Sequence, residues 1–141
     1  MRAPELTASA ALQLQVRLHG IQLGQPVDLL LDVDAWQALG FVVLCGDDSL
    51  RFLPYAACQP QDAEIAVGSA LMLLEGIEFY EKRGVSFRSL LDGEVGRGVL
   101  RDVVIGPRGE ILELEVERDG VRERVPSGGA VVRPTRAAPA A

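Results

Sequence analysis

Residues 27–54 read VDLLLDVDAWQALGFVVLCGDDSLRFLP, and residues 100–126 read LRDVVIGPRGEILELEVERDGVRERVP. Side by side, both run strand, turn, strand, tight turn, strand, proline. In the first stretch the tight turn is Gly46-Asp47-Asp48. In the second it is Asp119-Gly120, a dipeptide suited to the positive φ angles of a two-residue hairpin. Pro54 and Pro126 end the pattern at the same place, because proline has no amide proton to give a strand ladder. Two such meanders predict an all-β protein built from two related halves.

The side-chain periods say which faces are covered. Leu112, Leu114 and Val116 interleave with Glu113, Glu115 and Glu117, so this strand is expected to be apolar on one face and solvated on the other. Phe41, Val42, Val43 and Leu44 show no alternation, which predicts a strand covered on both faces or lying where the halves meet. Upstream, Leu12, Leu14, Val16 and Leu18 alternate with Gln13, Gln15, Arg17 and His19, predicting an opening strand that ends near Gly20. Residues 69–83 admit both a strand and a helix. Leu73, Leu74, Ile77 and Tyr80 fall at helical spacing, with Ser69 as an N-cap and Gly84 as a stop, but Gly76 weakens a helix interior. The expectation is a strand from Ile65 through about Leu74, then a short irregular or helical connection carrying Phe79 and Tyr80.

With 141 residues and 48% hydrophobic content, the chain can bury one ordinary core or two small ones that lean on each other. No uncharged apolar run approaches the roughly 20 residues of a membrane helix. The first residues hold no continuous apolar block followed by a cleavage site, so a cytoplasmic location is the default expectation. The net charge of −6 disfavours phosphate backbones and anionic membranes as partners. Charge is also uneven: residues 1–74 hold three basic and eight acidic side chains, residues 75–141 hold 11 and 12. The expected organisation is a loose N-terminus over residues 1–9, a first half over 10–74, a second half over 75–132 and a disordered tail over 133–141.

Residues 85–132 resemble a PRC-barrel domain. The resemblance rests on the glycines before the first long strand, Val103-Val104-Ile105, the turn glycines Gly106 and Gly109, the strand from Ile111 to Val116, and the closing RVP and AVV segments. Residues 12–74 resemble the same family less closely, with Trp36 to Leu39 lengthening a turn that is usually a tight glycine turn. The resemblance implies two small six-stranded barrels packed together and used as a docking or assembly surface, with no shared catalytic residues. One relative works in ribosome maturation, which implies a second reading, a ribosome-assembly or RNA-processing helper that binds protein. A third reading is a small-ligand or metal-binding barrel.

No catalytic set is expected, because His19 is the only histidine and no strained nucleophile turn of the G-x-S-x-G type occurs. Cys45 and Cys58 read as free thiols, since zinc would need two more ligands. Asp28, Asp32 and Asp34 lack a calcium-loop pattern and read as turn and edge chemistry. The Glu113, Glu115, Glu117 row is expected to be neutralised across the strands by Arg118, Arg122 and Arg124. No phosphate loop is present. No cofactor or metal is therefore expected. The expected activity is non-catalytic protein–protein recognition or self-association, with Trp36, Phe79 and Tyr80 as contact residues; core packing between the halves is an equal alternative for Trp36.

Overall fold

The computed structural model describes residues 6–133. Its strands form two curled antiparallel-rich sheets in a mainly β, barrel-like fold. Two meanders organise it. In the first, β3 (Ile21–Asp32), β4 (Gln37–Cys45) and β5 (Leu50–Pro54) pair antiparallel in sequence order. In the second, β10 (Gly98–Ile105), β11 (Ile111–Arg118) and β12 (Val121–Pro126) do the same. Both prolines close their meanders as expected: Pro54 pairs with Gly40, Pro126 with Glu113. The Asp119-Gly120 turn has φ angles of 53° and 79°, the left-handed pair that a tight hairpin demands.

The correspondence extends beyond the repeated stretches. Ahead of the first meander stand β1 (Leu6–Thr7), helix α1 (Ala8–Ala11) and β2 (Gln15–Leu18). Ahead of the second stand β8 (Val85–Ser86), helix α3 (Phe87–Leu90) and β9 (Glu94–Val95). Each strand–helix arm lies on the opposite meander. β1 pairs Leu6 with Ile105 and Thr7 with Val104, whereas β8 pairs Val85 with Leu31 and Ser86 with Leu30. Thr7 and Ser86 each cap their arm's helix through a side-chain oxygen. An aspartate anchors each arm: Asp102 accepts from the Ser9 hydroxyl and amide, Asp28 from the Ser86 hydroxyl and the Arg88 amide.

This exchange corrects two sequence-based expectations. Residues 6–9 are not loose, since Leu6 and Thr7 pair with β10, Ala8 is buried and Ser9 bonds to Asp102; residues 1–5 lie outside the described ones. Nor do the sheets divide at residue 74, because β1 belongs to the second sheet and β8 to the first. Of the expected tail only Arg133 is described, and it bridges to Glu94. The opening strand is also shorter than its alternation suggested: Leu12 caps α1 and turns into the core, and the strand begins at Gln15.

One apolar cluster unites the meanders, containing Leu29, Leu31, Phe41, Val43 and Leu53 from the first and Leu100, Val103, Ile111, Leu114 and Val116 from the second. Their central strands meet at a seam. Gln37 bridges Glu110, the Ala38 amide donates to Gly109 O at 2.7 Å, and the Ile111 amide donates to Trp36 O at 2.8 Å. Gly109 has φ +85°, and a Cβ there would lie 2.7 Å from the Tyr55 ring, so glycine satisfies both constraints. Trp36, also at positive φ (50°), ends the corresponding turn in the first meander. The turn is thus not lengthened through Leu39, as expected from sequence; Gln37, Ala38 and Leu39 already belong to β4.

Alternation failed at one further point. The β10–β11 register slips between Val104–Glu113 and Ile105–Ile111, leaving Leu112 as an unpaired bulge residue that faces solvent while Ile111 fills the core. Leu39 is skipped in the same way between Leu30–Gly40 and Leu31–Ala38.

The connection between the halves holds η1 (Tyr55–Ala57), β6 (Cys58–Pro60), β7 (Glu64–Val67), a single turn η2 (Ala70–Met72) and α2 (Ile77–Glu81). β7 runs parallel to β2. The strand expected through Leu74 stops at Val67, where Ser69 accepts from the Leu71 amide and starts a turn. The helical connection carrying Phe79 and Tyr80 is α2. Gly76 sits at its N-cap with φ 79°, outside the helix it would have weakened.

Candidate recognition surface

The outer face of β3–β4–β5 carries a second apolar cluster. Leu30, Val42, Phe52 and Ile77 are buried there, flanked by Val27, Leu39, Leu74 and Tyr80. The residue types dictate it: Phe41 and Val43 point into the shared core, so Val42 and Leu44 must point outward. The connection then covers part of the face. Leu74 exchanges two backbone hydrogen bonds with Phe52, at 2.9 and 2.8 Å, and α2 lays Ile77 and Tyr80 on the sheet. Tyr80 stacks on Phe52 with centroids 4.2 Å apart and planes inclined by 8°. Gly40 makes room for this ring, as a Cβ there would lie 2.5 Å from Phe52 Cζ and 2.3 Å from Leu53 O.

The cover stops short of the hairpin end. Leu44 and Leu50, directly opposed across β4 and β5, are 39% and 43% exposed. On the connection itself Phe79 is 54% exposed and Leu71 84%. Phe79 meets Tyr80 edge-on with centroids 5.1 Å apart, and the Arg83 guanidinium sits 3.8 Å from the Phe79 ring centroid.

Asp47 and Asp48 occupy the β4–β5 turn, and Glu75, Glu78 and Glu81 lie on the connection. Arg51 reaches both Asp47 and Glu75, at 3.6 and 3.3 Å. Hydrogen bonds from the Ser49 hydroxyl and amide hold the Asp47 carboxyl below its ordinary pKa.

The expected contact residues therefore divide. Trp36 is only 6% exposed and donates Nε1–H to Ala130 O at 3.2 Å, so it packs between the halves, the alternative reading for that residue. Tyr80 is half-buried and positions the cover; Phe79 faces solvent. Leu44 and Leu50 escape the sequence reading, which expects the unbroken run Phe41 to Leu44 to be covered on both faces or to lie where the halves meet. Their position opposite each other at a hairpin end was the available signal.

Elsewhere, polar clusters serve the fold. Asp32 accepts the Asp34 and Ala35 amides in its turn. Glu113, Glu115 and Glu117 are paired across the strands with Arg122 and Arg124, and Arg118 with Glu123. Among the described residues no His, Cys, Asp and Glu group has the arrangement of a metal site. His19 is exposed in the β2–β3 turn. Cys45 and Cys58 are free; burial raises the Cys58 thiol from 9.0 to about 12 and the Tyr55 hydroxyl from 10.0 to about 12. Tyr55 and Cys58 line a crevice of about 260 Å³ together with Leu6 and Pro107. No described helix is long and apolar enough to cross a membrane. No protein-family model matches this chain, and no curated protein is similar enough to match it.

Proposed function

We propose that this protein is a non-catalytic adaptor or assembly module that works by protein–protein recognition, its two halves being PRC-barrel-like units fused in one cytoplasmic chain. The paired meanders with their matching arms support a duplicated unit. The observation that carries the recognition reading is the exposed pair Leu44 and Leu50, which continues the buried Val42–Phe52 row outward instead of ending in charge, with Leu71 and Phe79 exposed on the connection. Exposed apolar side chains gathered on one face are a feature of interaction sites. Covering them removes apolar area from water, at roughly 25 cal/mol per Å² before the costs of association.

The test is affinity capture of the tagged protein from its native lysate beside a Leu50→Ser/Phe79→Ser variant. A recurrent partner lost in the variant is expected. Turnover of a substrate that vanishes on changing His19 or Cys58 would overturn the non-catalytic reading.

A further inference from the structure

We infer that the arm formed by β1 and α1, residues 6–11, exchanges between copies of this protein: its seat on β10 also receives the arm of a second copy, giving a reciprocally swapped dimer. This uses none of the Leu44–Leu50 surface and goes beyond the recognition reading above. The contacts between the halves repeat with two-fold symmetry about the Gln37–Glu110 bridge, where the Ala38 amide donates to Gly109 O and the Ile111 amide to Trp36 O. The same relation matches Leu6-Thr7 on Ile105-Val104 with Val85-Ser86 on Leu31-Leu30, and Asp102 with Asp28. Each half lends its arm to the other, as two copies of one half would do by exchange. The seat on β10 is therefore built to take an arm from another unit, and exchange of an identical element is a low-cost route to a dimer.

The two arms are held unequally. α3 buries Phe87 and Leu90, whereas α1 buries only Ala8 and Ala11. Little apolar area thus holds residues 6–11 beyond the Leu6 and Thr7 pairs and the bonds from Ser9 to Asp102. Asp102 is 4% exposed and is the one buried charged side chain among the described residues. Its carboxylate regains water when the arm lifts, which offsets part of what is lost. The pivot is defined by Gln25, whose Nε2 donates to Leu12 O at 2.8 Å and to Leu14 O at 3.1 Å, while Leu12 stays in the core. An arm released beyond that pivot bares Val104, Ile105 and Asp102, a strand edge followed by a carboxylate acceptor. The arm of a second copy carries the matching groups in the matching order, so each bond broken within a chain is remade between chains.

The test holds the full chain at high concentration just below its thermal midpoint, cools it, and reads its mass by light scattering after size exclusion. A dimer that grows with concentration and returns slowly to monomer on dilution is expected; a chain that stays monomeric throughout overturns the inference. Disulfide trapping then locates the contact, in chains whose own thiols are removed by Cys45→Ala/Cys58→Ala. A Leu6→Cys chain mixed with an Ile105→Cys chain should yield a covalent heterodimer joining those two positions. Leu6→Cys/Ile105→Cys within one monomeric chain sets the yield that a seated arm gives. A Val85→Cys chain mixed with a Leu31→Cys chain should link at least about tenfold less, because Phe87 and Leu90 hold that arm in place. Unchanged thermal midpoints exclude misfolding as the source of either link. A dimer that lacks the link between positions 6 and 105, or that links positions 31 and 85 equally well, overturns arm exchange and assigns self-association to another surface or to general unfolding.

Discussion

Val42 lies opposite Phe52, and Leu44 opposite Leu50, on the outer face of the first meander. In the second meander the matching pairs are Glu115 with Arg124 and Glu117 with Arg122. Gly40 opposite Pro54 and Glu113 opposite Pro126 complete the correspondence. The backbone course is shared, yet one face is apolar and partly roofed by α2, whereas the other is a lattice of ion pairs open to water. Inward-facing side chains and turn residues set the register of both, because a one-residue slip would turn the core set to solvent. Outward positions are free of that constraint. They are apolar beneath the connection and at the neighbouring exposed pair Leu44–Leu50, and charged on the second meander, where the charge also protects the edge strand β12 from stray strand pairing.

The strongest way to break the comparison is through the core that both meanders share. Phe41→Ala removes a fully buried ring that stacks on Tyr55 with centroids 5.8 Å apart. The expected cost is about 3–5 kcal/mol. Urea unfolding followed by Trp36 fluorescence and by far-ultraviolet circular dichroism should shift together; separate transitions would mean that the halves unfold independently.

Phe52→Ala and Arg124→Ala sharpen it, being changes at matching positions on opposite chemistries. Phe52→Ala should cost about 3 kcal/mol, since it strips the ring from beneath Tyr80. Arg124→Ala should cost no more than about 1 kcal/mol, because Glu113 is exposed to water and Glu115 keeps Arg122 as a partner. Equal costs in denaturant titrations would erase the distinction between the faces.

The arms give an intermediate pair. Asp102→Ala leaves the Ser9 hydroxyl and the Ser9 and Val103 amides without their acceptor, and Asp28→Ala does the same to the Ser86 hydroxyl and the Leu29 and Arg88 amides. Each should lower stability by about 1–3 kcal/mol. Faster hydrogen exchange should appear on the meander opposite the released arm, at Val104 and Ile105 for Asp102→Ala and at Leu30 and Leu31 for Asp28→Ala.

The last effect appears only at alkaline pH. Folding raises the Cys58 pKa from 9.0 to about 12, so the folded state holds the thiol proton more tightly. That contribution is complete below pH 9.0 and is lost as pH climbs toward 12. Cys58→Ser should flatten the decline between those limits, read as thermal midpoint against pH, with Tyr55 supplying the remainder.

Much of this architecture was legible. Glycine, aspartate and proline placed the turns and strand ends of both meanders, because their backbone preferences act locally. The reciprocal seating of the arms was not, since Leu6-Thr7 and Val85-Ser86 are two-residue strands whose partners lie far away in sequence. Leu12 misled for a similar reason: alternation over four apolar residues fits a strand, but buried Ala8 and Ala11 and the Thr7 cap favour a helical turn there. Bulges at Leu39 and Leu112 shift the face assignment without altering composition. At the candidate surface, Phe79, expected as a contact residue from its place in the connection, has an exposed ring. Leu44 and Leu50 were not expected there, because their exposure depends on where the cover of Leu74 and α2 ends. Trp36 showed the limit of residue type alone, as its amphipathic ring suits a seam as well as a surface.

Native-state hydrogen exchange tests most directly whether two meanders with unlike faces form a single folding unit. The slowest amides of β3 and β4, at Leu29, Leu31, Phe41 and Val43, should share one opening free energy with those of β10 and β11, at Val103, Val104, Leu114 and Val116. Separate values, with one meander exchanging through an opening that leaves the other protected, would contradict a common core.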